Sequence, residues 1–214
     1  DVLEWIGRFL ARIHTVGAAK PFAHRPMLDV QTFALEPAQW LQTHQMIPLE
    51  VEREWRDALV PALTLIQAAF AQGAAERKLL RLHGDCHPGN ILWTPVELPG
   101  GGPHFVDLDD ARMGPAVQDL WMLLSGDRRQ RTQQLSALLD GYEQVRDFDR
   151  AELNLIEPLR TLRLIHYSAW LARRWEDPIF PINFPWFGSP DYWRGQVLML
   201  QEQVEQMQEA PLSV

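Results

Sequence analysis

The segment His83-Gly84-Asp85-Cys86-His87-Pro88-Gly89-Asn90 is followed by an apolar run ending in Asp107-Leu108-Asp109-Asp110, and these two stretches decide the reading of the whole chain. An Asp and an Asn on one tight loop, with a second carboxylate delivered by a nearby strand, form an oxygen-ligand set suited to magnesium and phosphate. The chemistry it points to is phosphoryl transfer. A phosphoryl group in transfer carries charge on its oxygens, so its catalyst must hold the metal and align an attacking hydroxyl. In this reading Asp107 chelates magnesium from the end of a buried strand and Asn90 adds a neutral amide oxygen. Asp85 is then left to accept or orient the hydroxyl proton.

The neighbouring residues take lesser parts. His83 reads as a packing and hydrogen-bonding residue that fixes the loop. His87 either touches a phosphate oxygen or braces the loop, and both roles stay open. Cys86 is a small buried filler, since no activating pair accompanies it, and the scattered histidines offer no zinc spacing. Strand alternation would put Asp107 and Asp109 on one face and Asp110 on the other, which makes Asp109 the second metal candidate behind Asp107. Asp119 reads as a buried carboxylate that accepts backbone N–H groups from the catalytic loop.

Working outward, Ile91-Leu92-Trp93 and His104 to Leu108 form a hairpin about the turn Pro95 to Pro103, with Gly100-Gly101-Gly102 at its tip. Nearly everything else has helical spacing. Leu3, Ile6, Phe9, Leu10 and Ile13 mark a first helix ending near Gly17, and Lys20 to Pro37 reads as loop. A helix from Leu49 to Phe70 contains Pro61, which should kink or divide it. Beyond Asp110 the pattern is helical to the end: Pro115 to Leu124, Thr132 to Val145, a long helix introduced by an Asp149/Glu152 capping box, and a last helix starting at Ser189-Pro190. The fold class is therefore mainly α with a small β-hairpin at the catalytic loop. The aromatic segment Trp170 to Trp193, stiffened by prolines, either plugs a helical core or shapes a binding surface.

Bulk properties narrow the function. A chain of 214 residues with 46% hydrophobic content can bury a sizeable core. A net charge of -8 argues against a general nucleic-acid binder. The single Cys86 excludes an internal disulfide and suits a reducing compartment, so the expected location is the cytoplasm. No apolar run of about 18 residues is present, so no membrane span is expected. The chain opens at Asp1 directly in a helical pattern, which reads as a cut inside a longer protein.

With these residues in place, the string Leu82-HGDCHPGN-Ile91-Leu92 resembles the catalytic loop of the aminoglycoside phosphotransferase and choline kinase superfamily, which shares the protein-kinase-like fold. Phe105-Val106-Asp107 is similar to that family's metal-binding strand, and Gly114 with Gln118-Asp119-Leu120 to the helix that follows. Protein kinases place an arginine where Gly84 stands and a lysine where His87 stands, so the likeness is to the phosphotransferase branch. Two longer strings, FVDLDDARMGPAVQDLWMLL from Phe105 and YSAWLARRWEDPIFPINFPWF from Tyr167, look like a bacterial stress-response branch regarded as ATP-dependent serine/threonine protein kinases of the cytoplasm.

The resemblance implies that residues 1–214 form the C-terminal, large lobe of this fold. It implies Asp85 as catalytic base, Asn90 and Asp107 as magnesium ligands, and ATP as donor, with His87 among the candidates for contact with the nucleotide. The acceptor it implies is a protein serine or threonine. A small hydroxylated metabolite of the homoserine, choline or aminoglycoside kind, and a kinase-shaped docking module, are the rivals. The ATP-gripping N-terminal lobe has no counterpart: no G-x-G-x-x-G occurs, and Lys20 and Lys78 are the only lysines. The chain by itself is therefore expected to transfer phosphate poorly.

Overall fold

Apolar residues recurring every third or fourth position make α1 (Val2–Gly17) an amphipathic helix that buries Ile6, Leu10 and His14. The computed structural model describes residues 2–214, and the chain divides into two units. The first comprises the residues up to Leu28, Gly73–Ile156 and Pro211–Val214. In it α1 packs on α5 (Arg128–Tyr142), and two glycines set how close they come. A Cβ on Gly7 would sit 1.9 Å from the Leu138 carbonyl oxygen, and one on Gly141 would sit 1.8 Å from that of Glu4. Only hydrogen fits at either place. A capping box starts α5: Asp127 accepts from the Gln130 N–H, and the Gln130 side chain accepts from the Asp127 N–H.

Two small antiparallel sheets complete this unit. Strand β1 (Leu80–Leu82) pairs with β4 (Arg112–Gly114), while β2 (Ile91–Thr94) pairs with β3 (Gly102–Phe105) in the register Ile91 opposite Phe105. The expected hairpin is present, and its glycine tip is used as such, with φ of +76° at Gly100 and +116° at Gly102. The architecture is mainly helical with small sheets. Three local expectations are corrected. Strand β3 ends at Phe105 rather than Leu108. Strand β4 stands where helix was expected, because a three-residue strand carries no readable period and exists only through its ladder with β1. The helix expected over Pro115 to Leu124 is reduced to one turn, α4 (Gln118–Trp121), flanked by turns.

The second unit comprises Asp29–Gln72 and Glu157–Ala210. Here the expected loop from Lys20 to Pro37 gives way to helix from Gln31. The Asp29 carboxylate accepts from the Thr32 N–H at 2.7 Å and its hydroxyl at 2.9 Å, opening a π-helical turn (Gln31–Leu35) that runs into α2 (Glu36–Thr43). Pro37 sits in the first turn of α2. Helix α3 (Leu49–Ala71) continues through Pro61 as one element. Helices α6 (Ile156–Arg173), α7 (Ile179–Asn183) and α8 (Pro190–Gln208) follow, the last capped by the Ser189 hydroxyl as its sequence implied. Helix α3 packs on α8, where Trp55 meets Trp193 edge-on at 6.2 Å. In the aromatic segment Phe187 and Trp193 are fully buried, in keeping with the packing role read for it, whereas Trp186 is 43% exposed. Among the described residues no helix is long and apolar enough to cross a membrane.

Candidate active site

The loop between β1 and β2 is held by its backbone. Gly84 adopts a φ of +89°, and a Cβ there would lie 2.1 Å from the Asp110 carbonyl oxygen, so the position requires glycine twice over. The N–H groups of His83 and Gly84 donate to the two oxygens of Asp119, each at 2.8 Å. The Gly84 carbonyl accepts from the Gln118 amide at 2.9 Å, and Gln118 in turn accepts from the Trp121 indole. One helical turn thus satisfies both polar groups of the Gly84 backbone. Asp119, completely buried, is itself met by His14 Nε2 at 2.9 Å, and His14 Nδ1 lies 2.8 Å from the Tyr142 hydroxyl. That chain of three side chains ties the loop to α1 and α5.

The start of α4 has its own support. The Val117 N–H donates to the Glu152 carboxylate at 2.8 Å. Glu152 was expected to close a capping box with Asp149. Asp149 does cap the 3₁₀ turn Arg150–Leu155 through the Ala151 N–H, but Glu152 points to Val117, because an orphan helix N-terminus is the stronger claim on a buried carboxylate. Burial pushes Glu152 up to about 7, against the lowering effect of the Val117 N–H.

The chemistry-bearing residues converge through the backbone of the loop and the end of β3. Asn90 donates its side-chain N–H to the Asp85 carbonyl at 3.0 Å, and the Asn90 carbonyl accepts from the Val106 N–H at 3.0 Å. The Val106 carbonyl lies 2.8 Å from His83 Nε2. Asp107, the next residue, is therefore delivered beside Asn90. It is exposed, and its φ of +60° is a left-handed conformation that a non-glycine residue adopts only at a cost. His87 Nδ1 accepts from the Gly89 N–H at 3.0 Å, and its Nε2 lies 3.5 Å from the Asp85 carboxylate. A Cβ on Gly89 would meet that ring at 2.8 Å, so glycine makes room for it. Cys86 is fully buried and burial pushes its thiol well up, which fits the filler role.

Asp109 and Asp110 need a different description from the alternating strand expected. The left-handed Asp107 ends the extended backbone, so side-chain parity has no strand to act on, and Asp109 sits in an exposed turn. Arg112, 7% exposed, donates its Nε to the Asp110 carbonyl at 2.7 Å and pairs with the Asp110 carboxylate. Burial pulls the Arg112 guanidinium down, opposed by Asp110 and Asp85. Arg25 donates to the Asp109 carbonyl and, at 3.3 Å, to that of Leu108. Among the described residues no three His, Cys, Asp or Glu side chains gather as a metal cage, so a cation in this cleft would need an amide such as Asn90 or oxygens from its substrate.

Several supports escaped the sequence: His14, Tyr142, Arg25, Arg112 and Glu152. All but Arg112, which pairs with Asp110 two positions away, act over a long separation, 105 residues for His14 and Asp119, and no local spacing encodes them. The one available signal was a polar residue on an apolar helix face, which His14 is.

A carboxylate-bearing loop clamped from below by a short helix, with an Asn and an Asp gathered beside it, on a mainly helical scaffold, is the architecture of the kinase-like phosphotransferases. The chain belongs to the phosphotransferase enzyme family, whose pattern matches residues 1–156. Over all 214 residues it is 46% identical to stress response kinase A of Escherichia coli (strain K12) and 45% identical to serine/threonine protein kinase RdoA of Salmonella typhimurium. It spans 62% of the length of these relatives. The fold is that of the microcompartment-associated aminopropanol kinase, with a TM-score of 0.65 at 15% identity over 96% of this chain and 62% of that one. A choline/ethanolamine kinase family protein from Mesorhizobium loti gives 0.59 at 17% identity, over 98% and 62%.

Proposed function

We propose that this chain is the large lobe of an ATP- and magnesium-dependent kinase that acts in the bacterial cytoplasm on serine or threonine hydroxyls of proteins. The observation that carries the reading is the fixed loop: Asp85 lies on a loop held by Asp119 and Gln118, Asn90 is bonded to the Asp85 carbonyl, and Val106, the residue before Asp107, is bonded to the Asn90 carbonyl. The identity to relatives named as stress response and serine/threonine kinases supports the acceptor class.

In this scheme the acceptor hydroxyl oxygen forms a bond to the γ-phosphorus while the bond to the bridging oxygen of ADP breaks, and Asp85 takes the hydroxyl proton. His87 orients that carboxylate: with Nδ1 occupied by the Gly89 N–H, the ring presents Nε2–H toward Asp85. The donor set fits a hard cation. Asn90 commits its nitrogen to the Asp85 carbonyl, so it would hold a metal through Oδ1, and Asp107 would add a carboxylate, with Asp109 as the further candidate. When bound there, magnesium supplies neutralisation of charge on the phosphate oxygens. Gln118, Asp119 and Glu152 perform no chemistry; they keep Asp85 in place through the transfer.

The test is incubation of the full-length protein with labelled ATP, magnesium and either a protein mixture or a panel of hydroxylated metabolites. Label on protein serine or threonine, abolished by Asp85→Asn, is the expected result. Label on metabolites alone would overturn the protein acceptor. Nucleotide binding indifferent to both magnesium and Asp107→Ala would overturn the enzyme and leave a docking module.

A further inference from the structure

We propose that Arg25 is a positioning residue for the phosphoryl-transfer site: it gathers the backbone carbonyls that follow Asp107 and so keeps that carboxylate ready for magnesium. The inference deepens the kinase reading and rests on it for the role of Asp107.

The segment that carries Arg25 is anchored by other groups. Pro26 confines the residue before it to extended backbone, and the Pro26 carbonyl accepts from the Met113 N–H at 3.3 Å. The Leu28 N–H donates to the Met113 carbonyl at 2.8 Å, so Met27 bridges Met113 in parallel beside β4. Leu28 is buried, and a Cβ on Gly114 would lie 3.3 Å from that of Leu28. Main-chain bonds and an apolar plug thus fix the backbone at Arg25, and its side chain reaches across to the turn after Asp107.

What it meets there are carbonyls. Nη1 of Arg25 donates to the carbonyl of Leu108 at 3.3 Å and to that of Asp109, and it lies 3.5 Å from that of Ala111. The carbonyl between them, that of Asp110, accepts from Arg112 Nε at 2.7 Å. Four successive carbonyls, from 108 to 111, therefore face a guanidinium. Carbonyl oxygens drawn toward one point repel one another unless a positive group stands among them. The turn's own backbone contributes the Ala111 N–H, which donates to the Leu108 carbonyl at 3.1 Å.

The turn matters because of what it adjoins. Asp107 holds a φ of +60°, a conformation that persists only where the surroundings impose it. On one side of it the Val106 N–H is bonded to the Asn90 carbonyl, and on the other Arg25 holds Leu108 and Asp109. The Asp110 carbonyl in turn lies so close to Gly84 that a Cβ there would come within 2.1 Å of it, so the same turn walls the loop that carries Asp85. The plain alternative is that Arg25 merely pins residues 22–28 to the core. The Pro26 and Leu28 bonds already do that, and a simple tie needs one acceptor rather than several converging on one nitrogen.

The test compares Arg25→Met, which removes every donor from the side chain, with Arg25→Lys, whose ammonium offers three N–H groups from one nitrogen. In the full-length protein, Arg25→Met should raise the magnesium concentration for half-maximal transfer by about tenfold or more, as for residues that orient a metal ligand, and leave kcat at saturating magnesium close to the parent's. Arg25→Lys should lie between the two. Hydrogen exchange without metal or nucleotide supplies a second readout. The Ala111 amide should exchange faster in Arg25→Met, while the Leu28 and Met113 amides keep the parent's protection. An unchanged magnesium response, an unchanged Ala111 amide, a lysine variant no better than the methionine one, exchange accelerated equally at Leu28 and Met113, or loss of the fold in Arg25→Met by circular dichroism would each overturn the positioning role. A parent that transfers no phosphate would overturn the kinase reading, and this proposal with it. A parent that transfers normally beside an indifferent Arg25→Met would overturn this proposal alone.

Discussion

The side-chain nitrogen of Asn90 donates to the backbone carbonyl of Asp85 at 3.0 Å, so the proposed metal ligand and the proposed base are one mechanical unit. Asn90→Asp keeps an oxygen for a cation but loses the donor. The expected result in the full-length protein is a loss of roughly 10–100-fold in magnesium affinity or transfer rate, as for residues that orient a metal site. Asn90→Ala should be worse. Magnesium titration of the transfer rate measures both, and a wild-type response from the pair would remove Asn90 from the site.

Asp119 satisfies three buried donors at once, from His83, Gly84 and His14. Asp119→Ala should cost about 3–5 kcal/mol, because the groups it leaves behind have no water to turn to. Tyr142→Phe removes only the outer link of the same chain and should cost about 1 kcal/mol. Urea denaturation of the two variants distinguishes these magnitudes.

Gly84→Ala forces a side chain into a left-handed backbone and against the Asp110 carbonyl. A destabilisation of about 1–3 kcal/mol is expected, together with loosening of the loop that carries Asp85. Faster amide exchange at Asp85 and Cys86, with α5 unchanged, would record the local effect; unaltered exchange would mean the loop tolerates the methyl group.

Glu152 makes stability depend on pH. Its folded value near 7 lies above that of an unfolded glutamate, about 4.3, so the folded chain binds more protons between those limits. Stability should therefore fall as pH rises from about 4.5 to 7, by a few kcal/mol at most, and level off above. Glu152→Gln, which still offers an oxygen to the Val117 N–H, should flatten that part of the profile. Denaturation midpoints at pH 5, 6 and 7.5 for both proteins measure it, and parallel profiles would exclude Glu152 as the source.

Cys86 is fully buried and its thiol is pushed up by burial. Ellman's reagent at pH 8 should therefore leave the native chain unlabelled and report its one thiol after denaturation. Labelling of the folded protein at the rate of a free thiol would show that the loop opens.

Much of the scaffold was readable in advance because its signals are local. Helical spacing located α1, α3, α5 and α6, Ser189-Pro190 marked the start of α8, and the glycine run marked the hairpin tip. What misled was also local. Asp149 and Glu152 have the spacing of a capping box, yet only Asp149 caps. Asp107 and Asp109 have the spacing of one strand face, yet β3 ends at Phe105 and Asp107 is left-handed. For Glu152 a contact with a distant element outweighed a preference of about 1 kcal/mol for the local pattern.

Residue order by itself determined the chemical inventory of the loop, Asp85, His87 and Asn90, and the apolar faces that bury most of the helices, since both depend on neighbours a few positions apart. Folding alone decided which groups hold that loop in shape. His14 reaches Asp119, Tyr142 reaches His14, and Arg25 reaches the turn after Asp107, only because α1, α5 and the two short sheets close on one another. The reason is physical: a backbone N–H removed from water donates to whichever carboxylate the packed chain brings within 3 Å, whatever the distance along the sequence.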